Sequence, residues 1–347
     1  MKQYKSLDFA KFVCAVLIII LHTAPFSSYS KALTFGFRNI VTVIAVPFFF
    51  LTSGFLAFKK MDTLTEEARK IYIRGYLKRL AVMYLIWSVV YFGFVAVKWS
   101  RVEFSYLHVL EYVKDFFFEG SYSTIWFLPA LFTAVLIINC LHKKLSYGRI
   151  FAISSMIYLF TLGGSSYYGL VCKIQGIKAL YDAYYSFFDT IKNGVCFGMI
   201  FVSMGAWVSE NEEKLTRTNN VRQALFPVLV CGVFLAVEEF LVAYTGWNSR
   251  GVDTVISLIP FTFFFMRFVL MLDLNIENSV CATLRKYSIL MFLCQRIPLS
   301  VISLFMADTL VATNSAVHFV VVLATTLLIS WALLRLAEKF RMFKYMF

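Results

Sequence analysis

His22 lies eleven residues after Lys11 in the run SLDFAKFVCAVLIIILHTAP, and Asp8 precedes both. An ionisable residue inside an apolar run is costly in lipid unless it faces protein or water, which makes His22 a candidate for chemistry. On a helix turning about 100° per residue, the eleven-residue step returns to within roughly 20° of the same face, with Asp8 about 40° to the other side of His22. The step also rises about 16 Å, so with Lys11 at the inner boundary His22 lies past the midplane, toward the outer end. Arg38 opens the next apolar run and comes to His22's depth if the two helices form an antiparallel hairpin. A neutral His22 would then take a proton from an attacking hydroxyl, and Arg38 would hold a carboxylate or a developing oxyanion. The competing reading is an imidazole bonded to a backbone carbonyl near a helix end, with Arg38 snorkelling to the interface. Spacing alone leaves both open.

The elements that must position these residues follow from composition. The chain is 60% hydrophobic and only 15% charged over 347 residues, with a mean hydropathy of +0.74. A soluble core cannot hide that much apolar surface, whereas a bilayer core about 30 Å thick takes helices of roughly 20 apolar residues. The expected fold is all-α, a polytopic transmembrane bundle with spans near 9–26, 36–58, 80–97, 124–141, 150–166, 190–208, 223–245, 252–272, 288–306 and 314–335, forming one membrane domain over 1–347. A cytoplasmic N-terminus puts 21 Lys and Arg in inner segments against 8 in outer ones, so both termini are expected in the cytoplasm of a multi-pass cell-membrane protein. The same topology accounts for the net charge of +13 and argues against a nucleic-acid partner. Seven dispersed cysteines show no paired spacing, and His108, His142 and His318 show none suited to a metal, so no metal site is expected. No small-x-small cleavage site follows the first apolar run, so that helix is expected to be retained.

The longest inner segment, KKMDTLTEEARKIYIRGYLKR, carries a capping-box pattern at Thr63 and Glu66 and places Lys70, Arg74 and Lys78 on one helical face. That face suits phosphates, whether of a ligand or of anionic lipid. Two Tyr-rich outer segments, near 98–123 and 165–190, are placed to cover a cavity. Glu238, Glu239, Arg267 and the pair Gln295-Arg296 interrupt late spans. Ion pairing between spans is the expected role of these late groups, with a polar translocation path as the alternative.

SLDFAKFVCAVLIIILHT followed by GFRNIVTVIAVPFFFLTSGFL resembles the opening of the acyltransferase 3 family of integral-membrane O-acyltransferases, and the likeness continues through Lys78-Arg79 and Ile125-Trp126-Phe127-Leu128-Pro129. Within the family, HTAPFSSYS, TIWFLPALF and SSYYGL are similar to the membrane part of VanT-type serine racemases. Those proteins continue into a soluble pyridoxal-phosphate racemase domain; here the sequence runs to RMFKYMF after the tenth span, so racemase activity is not expected. The resemblance implies an acyl-CoA co-substrate bound from the cytoplasm, with no permanently bound cofactor. Its acyl group, acetyl in the first instance, would pass to a hydroxyl on a glycan, cell-wall or small-molecule acceptor outside. His22 would be the base, Lys11 the basic partner oriented by Asp8, and Arg38 the holder of an acyl or acceptor oxygen. Arg74, Lys78 and Arg79 would meet the CoA phosphates. Lys11 stands where the family usually has Arg, Thr124 and Gln295 stand where histidines are often found, and RGYLKR lacks the usual arginine pair spaced by three. A transporter of serine or another small amino acid is the alternative that these departures leave open.

Overall fold

A computed structural model describes residues 3–217, 220–247, 250 and 254–347. Lys2 and the first two positions of the expected span 252–272 lie outside the described residues. Every regular element among the described residues is helical. Six helices are long and apolar enough to cross a membrane: Lys5–Thr23, Lys31–Met61, Glu66–Trp99, Val221–Tyr244, Asn278–Phe305 and Ser315–Lys339. Phe127–His142 and Leu258–Met271 are apolar but shorter. The two remaining expected spans fall on Tyr147–Gly164 and on the helical stretch from Gly194 to Leu215.

Helix α1 (Lys5–Thr23) ends at Ala24, whose left-handed φ of 44° turns the chain just before Pro25. A left-handed cap followed by proline is a strong stop, since proline cannot extend the helix. His22 therefore sits in the last turn of α1. The chain re-enters through the short α2 (Lys31–Phe35), a π-helical stretch (Gly36–Val41) and a 3-10 turn (Thr42–Ile44) before α3 (Ala45–Met61). Pro47 lacks an N–H and crowds the carbonyl one turn back, which accounts for the irregular winding upstream of it. Arg38 lies in that irregular stretch.

Helix α4 (Glu66–Trp99) runs 34 residues without a break. The expected inner loop is thus continuous with the third span. Its N-cap is Thr65, without a side-chain cap, and the Thr63 hydroxyl donates to the Lys60 carbonyl, so the capping box expected at Thr63 and Glu66 does not form. Then follow α5 (Tyr106–Phe118), α6 (Phe127–His142), α7 (Tyr147–Gly164), α8 (Tyr168–Val171) and α9 (Gln175–Tyr185). Helix α9 lies against α7 through Tyr181, whose hydroxyl donates to the Phe160 carbonyl at 2.8 Å. That Tyr-rich segment is a packed cover. Next come α10 (Met199–Leu215), α11 (Val221–Tyr244), α12 (Leu258–Met271), α13 (Asn278–Cys294), α14 (Arg296–Phe305), α15 (Leu310–Thr313) and α16 (Ser315–Lys339).

The core is built on α1, which packs against α13, α3 and α16, while α10 packs along α3. Gly54 and Gly205 permit that second contact. A Cβ on Gly54 would stand 2.3 Å from the Val202 carbonyl oxygen, and one on Gly205 2.1 Å from that of Leu51. Where apolar burial against lipid gives little drive for association, such close backbone approach supplies the packing. Phe48, Phe49 and Phe50 are buried packing residues, whereas Phe226, Val233 and Phe234 on α11 face outward to the surroundings.

The late-span charges correct the ion-pairing expectation at Glu238, which bonds a helix end. Its carboxylate accepts from the Ile256 and Ser257 amides at 2.8 and 2.7 Å, and from the Ser257 and Tyr167 hydroxyls, ahead of the first turn of α12. A negative charge is favourable there, where amides are unpaired and the helix dipole is positive. Arg267 donates from Nε to the Leu215 carbonyl at the end of α10, at 2.9 Å.

Candidate functional site

The side chains with chemical potential divide between the two ends of α1, here termed the Lys5 end and the Thr23 end. Asp8 and Lys11 are both buried at the Lys5 end. Asp8 is held by Arg285 of α13, which donates from Nε at 2.9 Å and Nη2 at 2.7 Å. This fork-to-carboxylate geometry is the strong form of an ion pair. No hydrogen bond or ion pair joins Asp8 to Lys11 among the described residues; Asp8 is clasped by Arg285, and its charge acts on Lys11 from beside it. The sequence reading missed Arg285, which sits in a polar stretch 277 positions from its partner.

Two cavities with shared walls open at this end. The wider, of about 1280 Å³, is lined by Lys78, Arg79, Arg285, Lys286, Arg335 and Lys344, with Trp331 and Tyr345 among its walls. A narrower channel of about 230 Å³ shares Arg79, Arg285 and Ile289 with it and is lined also by Lys11, Ser53, Tyr72 and Tyr76. Of the three phosphate candidates, Lys78 and Arg79 line the wide cavity and Arg74 lines neither. Lys70 is paired with Glu66 on the exposed surface of α4 at 3.0 Å. The shared helical face is real, but the cavity lies toward the C-terminal end of that basic run, where residues of α4, α13, α16 and the C-terminal turn surround it.

At the Thr23 end, the partner of His22 is Arg296. Its Nη2 lies 3.2 Å from His22 Nδ1 and donates to the Ser123 hydroxyl at 2.8 Å. Arg38, expected in that place, is exposed and acts on the ring only as a second positive charge at longer range. The physical reason is the chain path: the break at Cys294–Arg296 between α13 and α14 brings Arg296 onto α1, while the irregular winding before α3 leaves Arg38 at the surface.

Ser123 is fixed by its neighbours. Gly120 turns the chain at φ 99°, and a Cβ there would meet the Trp126 backbone at 2.5 Å. The Ser121 amide donates to the Tyr84 hydroxyl at 2.8 Å, and Ser121 and Ser88 share a hydrogen bond of 2.7 Å. Tyr122 stacks on Tyr91 with ring centroids 4.6 Å apart and bonds Ser300 at 2.6 Å. Around this layer Thr124 Oγ1, Gln295 Oε1 and Arg296 Nε are buried without a hydrogen-bond partner among the described residues. A buried polar atom that no group, water or ligand serves costs roughly 1–3 kcal/mol. A third cavity, of about 380 Å³, opens at this end and is lined by Tyr122, Ser123, Trp126, Asp115, Glu119 and Asp189, among others.

A protonated guanidinium donates to Nδ1, so the neutral His22 ring carries its proton on Nε2. The ring as it stands is a hydrogen-bond donor through Nε2. Nδ1 becomes free to take a proton when Arg296 turns to another acceptor.

A family model described as an acyltransferase domain matches residues 4–335. The chain belongs to the acyltransferase 3 family. Among curated proteins, this acyltransferase 3 chain is 29% identical over 240 residues to an amino-acid racemase of Enterococcus faecalis, covering 69% of the chain and 33% of the relative. A second amino-acid racemase of Enterococcus faecalis is 23% identical over 345 residues, 98% of the chain and 47% of the relative. A serine/alanine racemase of Enterococcus gallinarum is 25% identical over 263 residues, 76% of the chain and 36% of the relative. The acyltransferase 3 chain thus spans less than half the length of these relatives. No solved structure matches it. Family membership and the apolar helices together make this a membrane protein of the acyltransferase class.

Proposed function

We propose that the chain is a cell-membrane O-acyltransferase that takes an acyl group, acetyl in the first instance, from acyl-CoA in the cytoplasm and passes it to a hydroxyl of a cell-surface or exported acceptor. One observation carries this reading. A wide basic cavity and its narrow channel open at the Lys5 end, and the His22–Arg296–Ser123 layer lies under a separate cavity at the Thr23 end. Ten spans with both termini inside, which suit the excess of basic residues in inner segments, put the basic cavity in the cytoplasm.

In this reading Lys78, Arg79, Lys286, Arg335 and Lys344 meet the CoA phosphates, and the pantetheine arm follows the channel past Lys11. The acceptor enters from the other side. Arg296 shifts its hydrogen bond to the thioester carbonyl oxygen, which frees His22 Nδ1 to accept the hydroxyl proton. The hydroxyl oxygen attacks the carbonyl carbon, the C–S bond breaks as the ester forms, and the CoA thiolate takes the proton back from the imidazolium.

The test is CoA release from acetyl-CoA by protein in lipid nanodiscs, with His22→Ala beside the wild type. L-Serine is the first acceptor to try, since serine is in the name of the Enterococcus gallinarum relative. Release that the variant lacks supports the reading. Absence of both CoA binding and release, with saturable serine uptake in proteoliposomes, replaces it with transport.

A further inference from the structure

Three phenylalanine rings from three helices line the narrow channel: Phe49 of α3, Phe127 of α6 and Phe292 of α13. Their centroids lie 5.1 Å apart for Phe127–Phe292, 5.5 Å for Phe49–Phe292 and 6.2 Å for Phe49–Phe127, so the rings close on one another. Each keeps 5–6% exposure, whereas Phe48, Phe50, Phe55 and Phe58 keep none. Phe127 also packs on Phe50 at 4.4 Å and Phe50 on Trp126 at 6.0 Å, and Trp126 lines the cavity at the Thr23 end. A run of ring contacts therefore leads from one cavity to the other.

We propose that Phe49, Phe127 and Phe292 form the floor of this channel and set the length of the acyl chain that it accepts before the thioester moves on to His22. The inference rests on the acyl-CoA reading above. The channel's polar and cationic residues, Lys11, Ser53, Tyr76 and Arg79, suit the arm of the donor, and its phenylalanine rings offer an acyl group only hydrocarbon. At about 230 Å³ the channel is smaller than the roughly 300–1,000 Å³ that holds drug-sized ligands, so it suits a thin arm with a short tail. An apolar wall that stops a chain discriminates about 10-fold or more per methylene.

The experiment measures CoA release from acetyl-, butyryl- and hexanoyl-CoA in nanodiscs, with CoA binding by calorimetry alongside. Wild type is compared with Phe127→Leu and Phe292→Leu, which shorten the floor, and Phe49→Trp, which raises it. The leucine variants keep an apolar side chain in the floor and so limit the damage to folding. The expected result is a wild-type preference for acetyl-CoA, a hexanoyl-to-acetyl ratio of kcat/KM raised about 10-fold or more in at least one leucine variant, and a steeper preference in Phe49→Trp. Turnover with the same chain-length profile in every variant overturns the gauge and leaves the acyltransferase reading standing. No CoA bound and none released by the wild type overturns that reading, and the gauge with it.

Discussion

Arg285 closes on Asp8 through two hydrogen bonds of 2.9 and 2.7 Å, joining the middle of α13 to the first turn of α1 across 277 positions of sequence. The two partners are unequal: the Asp8 side chain is 4% exposed and that of Arg285 46%. Arg285→Ala leaves a buried carboxylate without its partner, a loss of about 3 kcal/mol or more. Asp8→Ala leaves a half-exposed guanidinium that water or lipid phosphate can serve. Thermal unfolding in detergent is expected to show Arg285→Ala well below Asp8→Ala, and equal shifts would contradict the burial argument.

Arg296 is expected to matter more to turnover than Arg38. Arg296→Ala removes the donor at His22 Nδ1 and the hydrogen bond to Ser123, and loss of one preorganised donor at a developing oxyanion costs about 100-fold or more in kcat. Arg296→Lys retains charge without the fork and is expected to recover part of that loss. Arg38→Ala should fall by less than either. Steady-state CoA release compares the three.

The basic cavity separates two sets of cations that look alike in sequence. Arg335→Ala and Lys344→Ala are expected to raise KM for acetyl-CoA several-fold with little change in kcat, since both line the wide cavity. Arg74→Ala and Lys70→Ala, outside it, should leave KM near wild type. A larger KM effect at Arg74 than at Arg335 would place the nucleotide elsewhere.

Packing of α3 on α10 depends on two absent side chains. Gly205→Val would press against the Leu51 carbonyl and the Phe55 amide, neither of which has a flexible end to move. A loss of folded protein, read as aggregation in size-exclusion chromatography, is expected there and not for Gly75→Ala, whose Cβ meets nothing within 4 Å.

At the Thr23 end, Glu119 accepts from the amides of Asp189 and Thr190 at 2.6 and 3.0 Å. Burial first, and then the nearby Asp189 charge, outweigh those amides and raise its carboxyl above the usual carboxylate range. A raised acid stabilises the fold fully below its unfolded pKa and loses that contribution as pH rises through the folded value. Hydrogen exchange at residues 189 and 190 is expected to be slower at acid pH, after correction for intrinsic rates. Glu119→Gln should flatten this dependence.

Local chemistry explains how much the sequence disclosed. Asp8, Lys11 and His22 share one helix, and a period of 3.6 places them on a stripe without knowledge of any other helix. The apolar runs likewise mark the main helices. The partners were not legible, because each comes from a distant segment. Hairpin reasoning favoured Arg38 for His22, yet the break between α13 and α14 delivers Arg296. Charge spacing named Arg74 with Lys78 and Arg79 for phosphates, and the cavity, walled by α4, α13 and α16, takes in only the last two. The unequal placing of Trp126 and Phe127, neighbours that line cavities at opposite ends, has no sequence signal, since both read as apolar.

The sequence by itself determined that this is a helical membrane protein of the acyltransferase 3 family, with a histidine in the last turn of its first helix. Apolar run length, cap chemistry and helical period are local properties, and a linear string contains them. Only the tertiary structure decided that Arg285 serves Asp8, that Arg296 serves His22, and that Phe49, Phe127 and Phe292 close on one another beside the narrow channel. Those contacts depend on which helices pack together and at what depth, which side-chain complementarity over the whole bundle sets and no single segment encodes.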